Sequence, residues 1–212
     1  MANKVISQVV NVSRPYLAGL FGRNDMLSFT LTYRTLFGFT LVISSFLGTF
    51  IFLINKYFIH LWVGEGFYAG DEVNLFLALN FILQVSVLPN RVIGATTLYR
   101  IRLHAFIRFA EGVVNLLLSI ILAKTIGMVG VVLGSAVTTA IFSNVALTMI
   151  TQQFFKERAA HFDRRINFSY LAVGLPVLFF ALSRISYLSS FVTFFILIVS
   201  VGMILFTMRD KM

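Results

Sequence analysis

Residues 35–55 read TLFGFTLVISSFLGTFIFLIN, with Arg34 immediately before them and Lys56 immediately after. These 21 residues carry no charge. They are solidly apolar instead of alternating with period two, which excludes a transmembrane barrel strand and predicts a helix. At about 1.5 Å per residue such a helix crosses the roughly 30 Å hydrocarbon core of a bilayer. The same reading, carried outward, finds five further stretches, and together they predict spans at about 35–55, 73–90, 105–123, 128–150, 166–184 and 188–208. The third meets the length requirement only if its first turns carry Arg108 and Glu111. The expected fold class is therefore all-α: a polytopic bundle of six spans over 35–208, preceded by a cytoplasmic or interfacial amphipathic segment over 1–34.

Composition points the same way. Of 212 residues, 58% are hydrophobic and 12% are charged, against about 25% charged in soluble domains. Such an apolar surplus needs lipid to face it. The distribution of the basic residues then orients the bundle. Fourteen of them lie before the first span (Lys4, Arg14, Arg23, Arg34), after the second (Arg91, Arg100, Arg102, Arg108), after the fourth (Lys156, Arg158, Arg164, Arg165) and at the end (Arg209, Lys211), against three (Lys56, Lys124, Arg184) in the other loops. By the positive-inside rule both termini are cytoplasmic. The same distribution accounts for the formal charge of +9 without a nucleic-acid partner, because the cations are spread over alternate loops and form no single patch.

Within 1–34, Leu17, Leu20, Phe21, Leu27 and Leu31 recur near helical spacing among Arg14, Arg23, Asn24, Asp25 and Arg34. This pattern predicts a helix lying in the interface. Pro15 is expected to open it, and Gly22 to break it. No cleavable signal peptide is expected at the N-terminus. The loop from Lys56 to Glu72 holds Tyr57, Phe58, Trp62, Phe67 and Tyr68 beside Glu65, Asp71 and Glu72. Such a loop anchors at the headgroup level; a sugar-stacking role for Trp62 is the sharper alternative. The fourth span is rich in small residues, including Gly127, Gly130, Gly134, Ser135 and Ser143. Small-xxx-small steps let another helix approach closely, so this span belongs inside the bundle. The last span, Leu188 to Met208, is bulky and suits a lipid-facing position.

Polar groups inside spans carry the functional expectation. Arg108, Glu111 and Asn115 stand three and four residues apart on one helix face and form a polar strip; the bland alternative is that Arg108 snorkels to the headgroups and Glu111 neutralises it. Arg91, in the adjacent basic loop, completes the set of candidate substrate-binding residues. Asn80 with Gln84, and Asn144, are read as helix–helix hydrogen-bonding amides, and Pro89 with Gly94 as a bend or end of the second span.

The chain has no cysteine, no G-x-x-x-x-G-K-[ST] loop and no H-E-x-x-H pair, and His60, His104 and His161 are scattered. No metal, nucleotide or other cofactor is expected, and no enzymatic activity, since paired catalytic groups are missing from the sequence.

Four segments carry a family resemblance. Arg14-Pro15-Tyr16-Leu17-Ala18 followed by Gly22-Arg23-Asn24-Asp25 resembles the cytoplasmic stretch before the third helix of the C-terminal half in bacterial polysaccharide flippases. Leu61-Trp62-Val63-Gly64-Glu65-Gly66-Phe67 is similar to their external W-x-G-x-x-F loop. Glu111-Gly112-Val113-Val114-Asn115-Leu116-Leu117-Leu118-Ser119 and Ile126-Gly127-Met128-Val129-Gly130-Val131-Val132-Leu133-Gly134-Ser135 are similar to their N-hydrophobic-hydrophobic-L-S helix and to the glycine turn opening the next one. The order and spacing match the O-antigen flippases of the multidrug, oligosaccharidyl-lipid and polysaccharide exporter superfamily. The resemblance implies a multi-pass protein of the bacterial inner membrane that moves an undecaprenyl-diphosphate-linked oligosaccharide between leaflets. It implies two lobes about a central cavity, of which this chain corresponds to part of the second. The partners implied are membrane lipids, the lipid-linked oligosaccharide, and a first lobe supplied as a missing N-terminal half or by a second copy. The alternatives are a non-transporting scaffold of a polysaccharide-synthesis complex, or a fragment of a drug exporter of the same superfamily.

Overall fold

A computed structural model describes residues 2–158 of the protein, and these residues are helical apart from short connections. Seven α-helices follow in order: α1 (Ala2–Gly22), α2 (Met26–Trp62), α3 (Asp71–Ser86), α4 (Leu88–Thr97), α5 (Ile101–Ile126), α6 (Met128–Thr138) and α7 (Leu147–Arg158). A 3-10 turn, Glu65–Phe67, lies between α2 and α3, and a π-helical stretch, Thr139–Ala146, joins α6 to α7. Four stretches are long and apolar enough to cross a membrane: Met26–Trp62, Asp71–Thr97, Ile101–Ile126 and Met128–Arg158. They correspond to the first four expected spans, and the first three are longer than the charge-free runs that marked them. The expected spans at 166–184 and 188–208 lie outside the described residues. The 37 residues of α2 extend about 56 Å, so this helix outreaches the hydrocarbon core.

The N-terminal segment departs from expectation at its helix ends. Pro15 does not open a helix; it lies inside α1. The reason is tertiary. Ile6, Val10 and Leu17 form a buried stripe on a helix that packs against α4, α2 and α3, and burial of three large apolar side chains offsets the loss of one backbone donor. The break at Gly22 is present, but it splits the expected apolar stripe in two. The chain turns at Arg23–Asn24, where Asn24 takes a positive φ of 58°. Asp25 then caps α2 by accepting the Ser28 backbone N–H at 3.1 Å. That bond holds the Asp25 carboxyl below the usual carboxylate range. Leu17 is buried on α1, whereas Leu27 and Leu31 face outward on α2.

The second span is broken in its middle third. Helix α3 ends at Ser86, Val87 has φ −84° and ψ −8°, and α4 begins at once with Pro89 in its first turn. The expected bend thus falls just before Pro89, whose missing N–H costs least there. The cap leaves the Leu83 carbonyl without its usual partner, the Val87 N–H, which turns to Val85 instead. Asn144 fills the gap, donating from Nδ2 to the Leu83 carbonyl at 3.1 Å while its Oδ1 accepts the Ser86 hydroxyl at 2.9 Å. Asn144 is therefore a cross-helix hydrogen-bonding amide, as its sequence suggested. Asn80 and Gln84 bond each other along α3 at 3.2 Å.

A second buried amide crosses the bundle. Asn90, fully buried on α4, accepts the Tyr33 hydroxyl of α2 at 2.7 Å and donates to Thr148 Oγ1 of α7 at 2.9 Å. Truncating it leaves two hydroxyls of other helices without that partner. Asn90→Ala is expected to destabilise the purified protein by about 1–2 kcal/mol, the range for one unmet buried polar group. A denaturant titration in mild detergent that returns an unchanged midpoint would remove Asn90 from this role.

Close backbone approach joins α5 and α6. Gly127 ends α5 with φ 64°, and α6 starts at the next residue, so the two helices form a tight hairpin. A Cβ on Gly130 would strike the Leu122 carbonyl group, and one on Gly134 would come within 3.1 Å of Ser119 Oγ. The small face of the fourth span therefore packs on the third. At one end of the bundle Phe21, Phe29, Tyr33, Tyr99, Phe154 and Phe155 form a ring cluster with centroid separations of 4.8–6.0 Å. The α1–α2 turn, the α4–α5 corner and the end of α7 thereby share one end, and these are basic segments.

Candidate functional site

Apart from Arg102 near its start and Lys124 and Thr125 near its end, helix α5 carries its polar residues on one stripe: His104, Arg108, Glu111, Asn115 and Ser119. Only His104 and Glu111 of this helix are buried. Phe106, Phe109, Val113, Leu116 and Ile120 on the opposite face are exposed. A helix apolar outside and polar inside is inverted relative to a soluble one, as expected when lipid is the solvent. The polar stripe lies against α4, α6 and the π-helical stretch.

At its centre is the hydroxyl of Ser143, a fully buried residue of the π-helical stretch. It donates to Glu111 Oε2 at 2.7 Å and accepts from Arg108 Nη1 at 2.8 Å and from Arg91 Nη2 at 3.2 Å. One proton given and two lone pairs filled exhaust what a serine hydroxyl offers. Arg108 Nη1 also reaches Glu111 Oε2 directly at 2.5 Å. Three elements therefore meet at one oxygen: α4 through Arg91, α5 through Arg108 and Glu111, and the π-helical stretch through Ser143.

The cluster holds two guanidiniums against one carboxylate and so carries a formal charge of +1. Its members differ in exposure. The Glu111 side chain is 10% exposed and that of Arg108 is 47% exposed. Arg91 Nε is buried with no hydrogen-bond partner. An unpaired cation costs far more in low dielectric than at a surface, and a bound anion would offset the surplus charge. Guanidinium groups, with several donors in one plane, suit phosphate oxygens in particular.

The pairing of Arg108 with Glu111 follows the sequence reading, whereas Arg91, read as a loop residue, lies within α4 and reaches the cluster from there. Asn115 does not join them. It accepts the hydroxyls of Ser119 and of Ser135 on α6, each at 3.1 Å, and so belongs to the α5–α6 seam. The strip expected over Arg108, Glu111 and Asn115 is two sites in succession on one face. Ser143 escaped the sequence reading altogether. It lies 32 residues from Glu111, in a span where it was one of many small residues, and nothing local distinguished it.

The π-helical turn explains how Ser143 and its neighbour Asn144 both serve the interior. They are adjacent in sequence yet bond different helices, Ser143 to α5 and α4 and Asn144 to α3. Wide turns of this kind recur where a helix must place successive side chains on functional tasks. Far from this cluster, Trp62 at the end of α2 is 75% exposed and lies against Phe58 at a centroid distance of 5.4 Å. Tyr57, Leu61 and Phe67 are exposed beside it, forming an aromatic rim at that end of the bundle, while the Tyr68 hydroxyl bonds Asp71 at 2.6 Å.

No family model, curated protein or solved structure matches this chain.

Proposed function

We propose that the protein is a lobe of a flippase that carries a diphosphate-linked oligosaccharide lipid across the bacterial inner membrane, with the basic end of the bundle in the cytoplasm. The observation that carries this reading is the cluster of Arg91, Arg108, Glu111 and Ser143, a surplus positive charge held by polar bonds among apolar spans. Charged groups inside membrane spans are rare and by default mark ligand or ion pathways. The sequence motifs of Leu61–Phe67 and Glu111–Ser135 supply the substrate class by resemblance. The positive-inside bias supplies the orientation. In a two-lobe transporter the ligand sits between the lobes, so the cavity is completed by a second lobe, from another chain or another copy.

Transport tests the reading directly. In proteoliposomes containing a short-chain polyprenyl-diphosphate oligosaccharide, the sugar should become accessible to external lectin faster with the wild-type protein than in protein-free vesicles. Arg108→Ala should slow this by at least about tenfold, the loss expected from one charge-assisted contact of about 1.5 kcal/mol. Equal rates for the variant and the wild type would take Arg108 out of the ligand site. A wild-type rate no higher than that of empty vesicles would overturn transport by this chain.

A further inference from the structure

Arg108 Nη1 and Ser143 Oγ aim at the same atom, Glu111 Oε2, from 2.5 and 2.7 Å. Two donors converging on one anionic oxygen is also the arrangement that a phosphate oxygen would meet. Yet this pair of donors is already occupied, and by a carboxylate of the same helix. We infer that Glu111 is a displaceable internal counter-ion, which occupies the place of a phosphate oxygen on Arg108 and Ser143 until a diphosphate exchanges with it.

Three observations carry the inference. Glu111 is tethered one turn from Arg108, so rotations within its own side chain lift Oε2 off both donors without moving a helix. Arg108 is half-exposed, and among the described residues its Nε and Nη2 make no hydrogen bond, which gives an incoming anion a first hold before the exchange. Arg91 contributes one nitrogen to Ser143 and keeps a buried Nε unpaired, so the site holds more donors than Glu111 can use. Charge balance gives the direction. A diphosphate ester carries at least two negative charges, which the two guanidiniums neutralise by themselves. With Glu111 still in place the site would hold an excess negative charge in low dielectric, so ligand and carboxylate compete for the same cations. Glu111 neutralises one of the two guanidiniums and keeps the site ordered when the lipid is absent, and its return makes release of the ligand easier than a bare arginine pair would.

This inference rests on the anion-binding reading above, and binding measurements separate the two. Farnesyl diphosphate, inorganic pyrophosphate and farnesol are titrated against the full chain in detergent by isothermal calorimetry. Wild-type protein should bind farnesyl diphosphate more tightly than farnesol, and pyrophosphate to an extent that shows how much of the affinity the diphosphate alone supplies. Glu111→Gln, which removes the competing charge and keeps the shape, should bind farnesyl diphosphate about tenfold more tightly than wild type, with farnesol unchanged. Glu111→Asp, which keeps the charge and leaves Ser143 and both arginines intact but draws the carboxylate back by one methylene from its two donors, is the companion variant, expected to tighten binding by a smaller factor and to decide the matter should Glu111→Gln not purify as a folded protein. Wild-type binding with no tightening in the folded variants overturns the exchange and leaves the anion site standing. No diphosphate binding by any of the proteins overturns the anion site itself.

Discussion

Gly130→Ala is expected to destabilise the protein by about 3 kcal/mol, whereas Gly134→Ala, four residues further along the same face, is expected to be nearly neutral. The two positions look alike in sequence, and each is a glycine in a helix. Replacing helical glycine by alanine gains about 1 kcal/mol from propensity alone. At Gly134 the added methyl meets Ser119 Oγ at 3.1 Å and Ser119 N at 3.3 Å, a contact that a few tenths of an ångström relieves, so the gain and the crowding nearly cancel. At Gly130 the methyl meets the carbonyl carbon and oxygen of Leu122. That is helix backbone, held by its own hydrogen bonds and by the tight turn at Gly127, and it cannot step aside without opening the α5–α6 hairpin. Overpacking against so rigid a neighbour falls at the top of the range of about 1–3 kcal/mol, or beyond it. Thermal unfolding of the purified variants in mild detergent measures the difference. Gly130→Ala melting at or above the wild-type temperature would show that α5 and α6 are not in backbone contact there.

The second large effect is an asymmetry within one ion pair. Glu111→Leu should cost about 3–5 kcal/mol, the range for stranding buried charge, and Arg108→Leu about 1 kcal/mol or less. The inventory of charges decides this. Without Glu111, two guanidiniums remain on the Ser143 hydroxyl, and Arg91 in particular has a buried nitrogen already unpaired. Without Arg108, one cation and one carboxylate remain within reach of the same serine, and the cluster is neutral. Arg108 is also 47% exposed, so its attraction to Glu111 is partly screened and its own desolvation is small. A neutral surface pair would give two small and similar losses. Chemical denaturation of both variants and of the Arg108→Leu/Glu111→Leu double variant separates these cases. Similar losses for the two single variants would show that Glu111 serves Arg108 alone and that Arg91 is outside the cluster.

Much of the architecture was legible because membrane insertion writes itself into composition. Lipid cannot bond a backbone amide, so each crossing must be a helix of about 20 apolar residues, and the run from Thr35 to Asn55 needs no neighbour to be read. Spacing on a single helix was equally readable: Arg108 and Glu111 pair because three residues make nearly one turn. The bend near Pro89 and the break at Gly22 follow from the residues at those points. Pro15 misled for the opposite reason. Its local preference is for a first turn, but Ile6, Val10 and Leu17 are buried by other helices, and that burial is invisible from within residues 1–34.

By itself, then, the sequence determined that the chain is a helical membrane protein, where its first four long apolar helices lie, and that Arg108 and Glu111 share a face. These are local consequences of helix geometry and of the cost of exposing polar backbone to lipid. Only the tertiary structure decided that Asn115 parts company with them, that Arg91 comes across from α4, and that Ser143 is the atom on which all three remaining groups converge. Those assignments depend on which helices touch and on a π-helical turn that rotates one residue towards α5 and the next towards α3. No period along a single helix records which face of another will meet it.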